Sequence, residues 1–152
     1  MSSVVLAGCT QAPPPVSGKV QQACDNIGKA TLPAAVNGTT VAFIGDSYTP
    51  GTGAGNPANR WTTKLSVDMS WSEVNLGKGG TGYFNAGSSV NYRGVIPDAV
   101  SSKPAIVLVA GGGNDLGFGV QRFGPSVDAF YAALRKALPD AKIVAVSPYF
   151  RD

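Results

Sequence analysis

Residues 39–47 read Thr39-Thr40-Val41-Ala42-Phe43-Ile44-Gly45-Asp46-Ser47, a short apolar run that stops at a glycine and passes at once into two polar residues. Three further runs of the same kind follow at 73–76, 105–109 and 142–146. Each is short, strand-like and bounded by turn residues, so all four are read as strands. Between the first and second, Asn56 can cap a helix whose first position is Pro57, with Trp61, Leu65 and Met69 four apart on one face. Between the third and fourth, Pro125 is read as opening a helix with the stripe Val127, Phe130, Tyr131, Leu134 and Leu138. The link from the second strand to the third is longer and Gly-rich, with room for a short helix near 95–100. Strand and helix alternate. Parallel neighbours need a crossover, and right-handed crossovers stack helices on the sheet, so the pattern predicts an α/β fold with a parallel sheet covered on both faces.

In such folds ligands bind at the carboxyl ends of the strands. The first strand runs into Gly45-Asp46-Ser47, the second into Gly77-Lys78-Gly79-Gly80-Thr81-Gly82, and the third into Gly111-Gly112-Gly113-Asn114-Asp115. All three therefore emerge at one edge. Glycines there let backbone N–H groups approach a ligand, and Ser47 and Asn114 are uncharged polar side chains at strand ends. A nucleophilic hydroxyl beside an oxyanion site is the chemistry this suggests.

Together these blocks resemble those of the SGNH (GDSL-like) serine hydrolases. The first, Gly-Asp-Ser, is matched by Gly45, Asp46 and Ser47; the second resembles Asn75-Leu76-Gly77-Lys78-Gly79-Gly80; the third, Gly-x-Asn-Asp, is matched by Gly112-Gly113-Asn114-Asp115. The match runs from about Thr39 to the end of the chain. The resemblance implies a three-layer α/β/α, flavodoxin-like domain over 39–152. It also implies Ser47 as nucleophile, with the N–H groups of Ser47 and Gly80 and the Asn114 amide as oxyanion donors. Asp46 and Asp115 are read as supports that hold backbone N–H groups or loops, not as catalytic groups.

The family's fourth block, Asp-x-x-His, has no match, because the sequence contains no histidine and stops at Arg151-Asp152. The resemblance therefore implies an incomplete domain, lacking the last strand, the histidine loop and the closing helix. The fourth strand would then keep an unpaired apolar edge. The expected reaction is ester hydrolysis by acyl transfer from Ser47 to water. Loss of the base from a Ser-His-Asp system costs on the order of 10⁶ in kcat, so this chain is expected to be nearly inactive. The aromatics Tyr48, Tyr83, Phe84, Tyr92 and Phe118 fall in or near the edge loops, where they either line an acyl or sugar pocket or pin their own loops.

Composition narrows the field. The 152 residues, 43% hydrophobic and 14% charged, suffice for one core. A net charge of +3 from scattered Lys and Arg forms no basic stripe, so nucleic acid is not an expected partner. Without histidine, and with only Cys9 and Cys24 as thiols, no zinc site can be assembled; no metal and no cofactor are expected. Gly77, Gly79 and Gly82 fit G-x-G-x-x-G after a strand, but Tyr83-Phe84-Asn85-Ala86-Gly87 opens no amphipathic helix, which argues against dinucleotide binding.

The opening Val4-Val5-Leu6-Ala7-Gly8-Cys9, followed by Pro13-Pro14-Pro15, resembles the end of a bacterial lipoprotein signal peptide. Residues 1–9 are then a partial signal, Cys9 the lipidated anchor, and 10–38 a polar tether with one short helix near 20–27. The alternative for Cys9 is a disulfide to Cys24 in a secreted domain. Either reading places the protein outside the cytoplasm, with a membrane partner in the first. The expected substrate is a small-molecule, lipid or glycan ester. A non-catalytic, lipid-anchored ligand- or glycan-binding protein is the rival reading.

Overall fold

The computed structural model describes residues 37–87 and 90–146. The signal-like stretch with Cys9, the helix expected near 20–27 and Cys24 lie outside these residues. Four strands form one sheet: β1 (Thr40–Gly45), β2 (Ser72–Asn75), β3 (Ile106–Ala110) and β4 (Lys142–Val146). All neighbours are parallel and the order is β2-β1-β3-β4. Each strand lies within a residue of the range expected from its apolar run.

The central strands β1 and β3 are apolar at nearly every position because both faces of the sheet are covered. Val41, Phe43, Ile106 and Leu108 point to one face, where Trp61 and Leu65 of helix α1 (Trp61–Asp68) join Met69 and Trp71. Ala42, Ile44, Val107 and Val109 point to the other, against helices α2 (Ile96–Ser101) and α3 (Val120–Ala137). The result is a three-layer α/β/α sandwich. Phe130 and Leu134 of α3 are fully buried there, and burying side chains of this size contributes roughly 1.5–3 kcal/mol each.

Two helix starts differ from the sequence reading. Asn56 does accept a hydrogen bond from the Asn59 N–H (3.2 Å), with Pro57 next to it, but the turn it opens is a separate 3₁₀ turn, Pro57–Asn59. The chain then bends at Arg60 before α1 begins. Pro125 does not open α3. The helix starts at Val120, where the Gly119 carbonyl accepts from the N–H groups of Arg122 and Phe123 (3.1 and 3.2 Å), and Pro125 lies inside it. A proline so near the N-terminus removes one intrahelical bond, and the helix tolerates that while its later turns bury Phe130 and Leu134.

Candidate active site

The strand order reverses between β1 and β3: the chain leaves β1 toward β2 on one side and returns to β3 on the other. A crevice opens outside the strand ends at such a switch point. Gly45 and Ala110 are the last paired residues of the two strands, so Asp46 and Gly111 enter the crevice side by side. At Gly45 a methyl group would overlap the Thr49 side chain and the Ala110 carbonyl oxygen, so only glycine lets the turn close this tightly. Overlapping turns follow: Thr49 N–H donates to the Asp46 carbonyl (3.1 Å), Gly51 N–H to that of Tyr48 (3.2 Å), and Thr52 N–H to that of Ser47 (2.9 Å). The Asp46 carboxylate accepts from Tyr48 N–H at 3.1 Å. Ser47 sits half-buried at the head of this turn.

Beyond β2 the ladder to β1 continues for two more bonds, Leu76 N–H to the Phe43 carbonyl (2.8 Å) and Lys78 N–H to that of Gly45 (3.0 Å). That continuation carries the glycines to the Ser47 turn. A Cβ placed on Gly79 would stand 3.9 Å from Ser47 Cβ. Gly80 follows with φ +72°, a left-handed backbone that a side chain would strain.

From β3, the 3₁₀ turn Gly113–Phe118 presents Asn114 and Asp115. Asp115 is fully buried, and its two oxygens accept three backbone N–H groups of the β2 loop: Tyr83 at 2.7 Å, Phe84 at 3.1 Å and Asn85 at 2.8 Å. Bonds of this kind are among the stronger ones in proteins. Asn114 Nδ2 donates to the Thr81 carbonyl at 2.9 Å, and Asn85 Nδ2 to the Asn114 carbonyl at 3.4 Å. The amide of Asn114 has a second N–H, which meets no hydrogen-bond partner among the described residues. The β2 loop is thus clamped to the β3 loop at one end and touches the Ser47 turn at the other. The fold brings Ser47, Gly80 and Asn114 to one edge, with Asp46 and Asp115 beneath them as loop supports. Cys9 lies outside the described residues.

Tyr83 and Tyr92 do not line a pocket. Both are buried in the layer under α3, Tyr83 against Tyr92 (4.9 Å between ring centroids) and Phe130 (5.4 Å), with its hydroxyl 3.0 Å from that of Tyr131. Burial drives the Tyr83 phenol far above its ordinary value, and the neighbouring Tyr131 adds to the shift. Burial does the same to Tyr92, helped by the nearby Asp46 carboxylate. Tyr48, Phe84 and Phe118, by contrast, are exposed.

Asn75, a residue given no role above, holds the Ser47 turn from the other side. Its Nδ2 donates to the Thr49 carbonyl (2.7 Å), Thr62 Oγ1 (3.0 Å) and Glu73 Oε1 (3.1 Å), while its Oδ1 accepts from Gly77 N–H (3.1 Å). Its place inside the second block was the available signal. Thr62 adds a long bond from α1 to the same Thr49 carbonyl (3.5 Å). A cavity of about 510 Å³ lined by Gly38, Ser66, Trp71 and Glu73, among others, contains none of Ser47, Gly80 and Asn114.

The Ser47 turn, a glycine loop and an Asn-Asp turn meet around the switch point of a flavodoxin-like α/β/α fold. The chain belongs to the GDSL-like Lipase/Acylhydrolase family, whose sequence model matches residues 43–152. One solved structure is similar over 75% of this chain and 58% of its own, with 23% identity and a TM-score of 0.63. A second, a protein of the G-D-S-L family from Desulfitobacterium hafniense DCB-2, covers 72% of this chain and 59% of its own, with 22% identity and a TM-score of 0.55. The chain therefore spans a little under 60% of each structure's length. No curated protein matches it. Gly45, Asp46 and Ser47 supply three letters of the family name, and Tyr48 stands at the fourth.

Proposed function

We propose that the protein is a serine esterase that transfers the acyl group of a carboxylic ester to water through Ser47. Ser47 Oγ attacks the ester carbonyl, and the N–H groups of Ser47 and Gly80 with Asn114 Nδ2 receive the charge that develops on oxygen. The alcohol leaves, and water then cleaves the acyl-enzyme. The observation that carries this reading is the clamp: Asp115 and Asn114 fix the loop whose Gly79 lies against Ser47. Donors held before the reaction starts are what oxyanion stabilisation needs.

The cycle also needs a base, and the 152 residues contain no histidine. The test therefore begins with the gene read through codon 152. If the frame continues into an Asp-x-x-His, the full-length product should hydrolyse p-nitrophenyl esters. Ser47→Ala should then cut kcat by on the order of 10⁶. A stop codon after Asp152 would favour the non-catalytic binding protein instead, and turnover that survives Ser47→Ala would overturn Ser47 as the nucleophile.

Attachment to the cell envelope through Cys9 belongs to the same proposal, supported by the sequence Val4-Val5-Leu6-Ala7-Gly8-Cys9 and the proline run after it. Expressed in its bacterial host, the protein should incorporate labelled palmitate. Cys9→Ser should abolish the label, and a labelled Cys9→Ser protein would sink the anchor.

A further inference from the structure

Among the described residues, four buried side-chain polar atoms have no hydrogen-bond partner, and two of them, Thr49 Oγ1 and Tyr92 Oη, lie where β1 and β3 end. Tyr92 is 1% exposed, so its hydroxyl is closed to bulk water. Leaving such a group unpaired is costly, and phenylalanine would make the same ring contacts with Tyr83 and Phe130 without that cost. The hydroxyl of its neighbour Tyr83, by contrast, is paired with that of Tyr131. What faces the Tyr92 hydroxyl is a carboxylate. A Cβ on Gly111 would overlap Tyr92 Oη and stand 2.8 Å from Asp46 Oδ2, so the two oxygens approach each other beside the bare Cα of Gly111. Burial first and the Asp46 charge second hold the phenol in its protonated form, and the Gly112 N–H, which favours the phenolate, is outweighed. A retained proton beside a carboxylate is a donor beside an acceptor. Asp46 is joined in turn to the Ser47 turn: its Oδ1 accepts from Tyr48 N–H and its carbonyl from Thr49 N–H, both at 3.1 Å.

We propose that Tyr92 is a positioning residue: its hydroxyl donates to Asp46 Oδ2, and the carboxylate so held keeps the Ser47 turn seated against the β3 loop. A rotation of the carboxylate about its last torsion, which is soft for aspartate, closes the gap. The bond is charge-assisted and shielded from water, the condition under which such bonds are strongest. Residue 111 has to be glycine for this, because a side chain there would take the space between the two oxygens, and its φ of +140° suits glycine as well. Ser47 and Asn114 follow different strands, and the paired register of those strands stops at Gly45 and Ala110. A tie beyond that last pair fixes the distance between nucleophile and oxyanion donor. Misplacing it lowers the rate without loosening substrate binding. The consequence for catalysis rests on the esterase reading above; the contact itself does not.

The experiment uses the full-length gene product and Tyr92→Phe, which removes the hydroxyl and keeps the ring. Native-state hydrogen exchange should show the Tyr48 amide exchanging about tenfold faster in this variant, with the amides of β1 and β3 unchanged. Tyr83→Phe, which removes a phenol of the same ring cluster that meets Tyr131 instead, should leave Tyr48 exchange as it was. In an Asp46→Ala background, Tyr92→Phe should add nothing to it. For Ser47-dependent hydrolysis of p-nitrophenyl esters, kcat should fall about tenfold in Tyr92→Phe with KM unchanged. A Tyr48 amide that exchanges at the parent rate overturns the proposal, as does an equal rise in Tyr83→Phe or in the Asp46→Ala background. A faster amide with kcat intact in a Ser47-dependent enzyme overturns it too. Where turnover proves independent of Ser47, the esterase reading falls and the exchange rates alone decide the contact.

Discussion

The two faces of the sheet are closed by different forces. Under α3 the closure is aromatic: Tyr83, Tyr92, Phe123, Phe130 and Tyr131 pack ring on ring, centroids 4.9–6.0 Å apart. Under α1 the apolar cluster is smaller, and toward the crevice it gives way to hydrogen bonds running from Glu73 through Asn75 and Thr62 to the Thr49 carbonyl, two residues from Ser47. Ring packing is strong and tolerant of direction, whereas hydrogen bonds are weaker and specify position. With Ser47 as the proposed nucleophile, the contrast predicts a division of labour in which the α3 face supplies most of the stability and the α1 face positions Ser47.

Paired truncations can break that division. Phe130→Ala should cost about 4 kcal/mol of unfolding free energy, the usual penalty for emptying a fully buried ring site. Asn75→Ala should cost about 2 kcal/mol, since it leaves the Gly77 N–H and the Thr49 carbonyl short of partners. Affinity for an alkylboronic acid, which forms an adduct with an active-site serine, should rank the two the other way. It should fall about tenfold in Asn75→Ala, equivalent to about 1.4 kcal/mol, and stay nearly unchanged in folded Phe130→Ala. Denaturant titration and calorimetry read the two quantities separately. If both variants lose affinity in proportion to stability, the faces are not specialised.

The apolar half of this contrast was legible in the sequence and the polar half was not. Runs such as Val41-Ala42-Phe43-Ile44 announce a strand whichever face each residue takes, and the stripe through Phe130 and Leu134 announces a helix. Helix starts were harder, because Pro125 reads as a first-turn residue and nothing in its neighbours says that Gly119 turns the chain six residues earlier. Tyr83 and Tyr92 lie in or beside an irregular loop, where no periodicity tells inside from outside, and a tyrosine suits either. The glycine-bearing blocks could be placed at one edge from their strand ends alone. Their meeting depends on β1 standing between β2 and β3, which alternation of elements does not fix. Asp115 reaches 30 to 32 residues back along the chain to its partners, and Asn75 reaches 26 to Thr49; no local pattern encodes such distances.

The two faces should also fail at opposite ends of the pH scale. Burial holds the phenols of Tyr83, Tyr92 and Tyr131 above their ordinary value of 10.0, although the hydrogen bond from Tyr83 partly offsets this at Tyr131. As pH rises past about 10, the unfolded chain releases protons that the folded protein keeps, so the stability present below that pH is lost. Glu73 behaves inversely. Burial pushes its carboxyl up, but hydrogen bonds from Thr62, Thr63 and Asn75, with the Arg60 charge, outweigh that and leave it below its ordinary 4.5. Its contribution is complete above about 4.5 and fades as pH falls through the lower folded value. The Glu73 effect is the smaller, because the group is only half-buried and solvent screens its partners. Thermal melts across pH should show a steep alkaline limb, weakened in Tyr131→Phe, and a shallow acid limb, weakened in Glu73→Gln. An acid limb unmoved by Glu73→Gln would mean that the hydrogen bonds from Asn75 and Thr63 to this carboxylate contribute nothing measurable, and the aim of Ser47 would then rest on the Thr49 contacts alone.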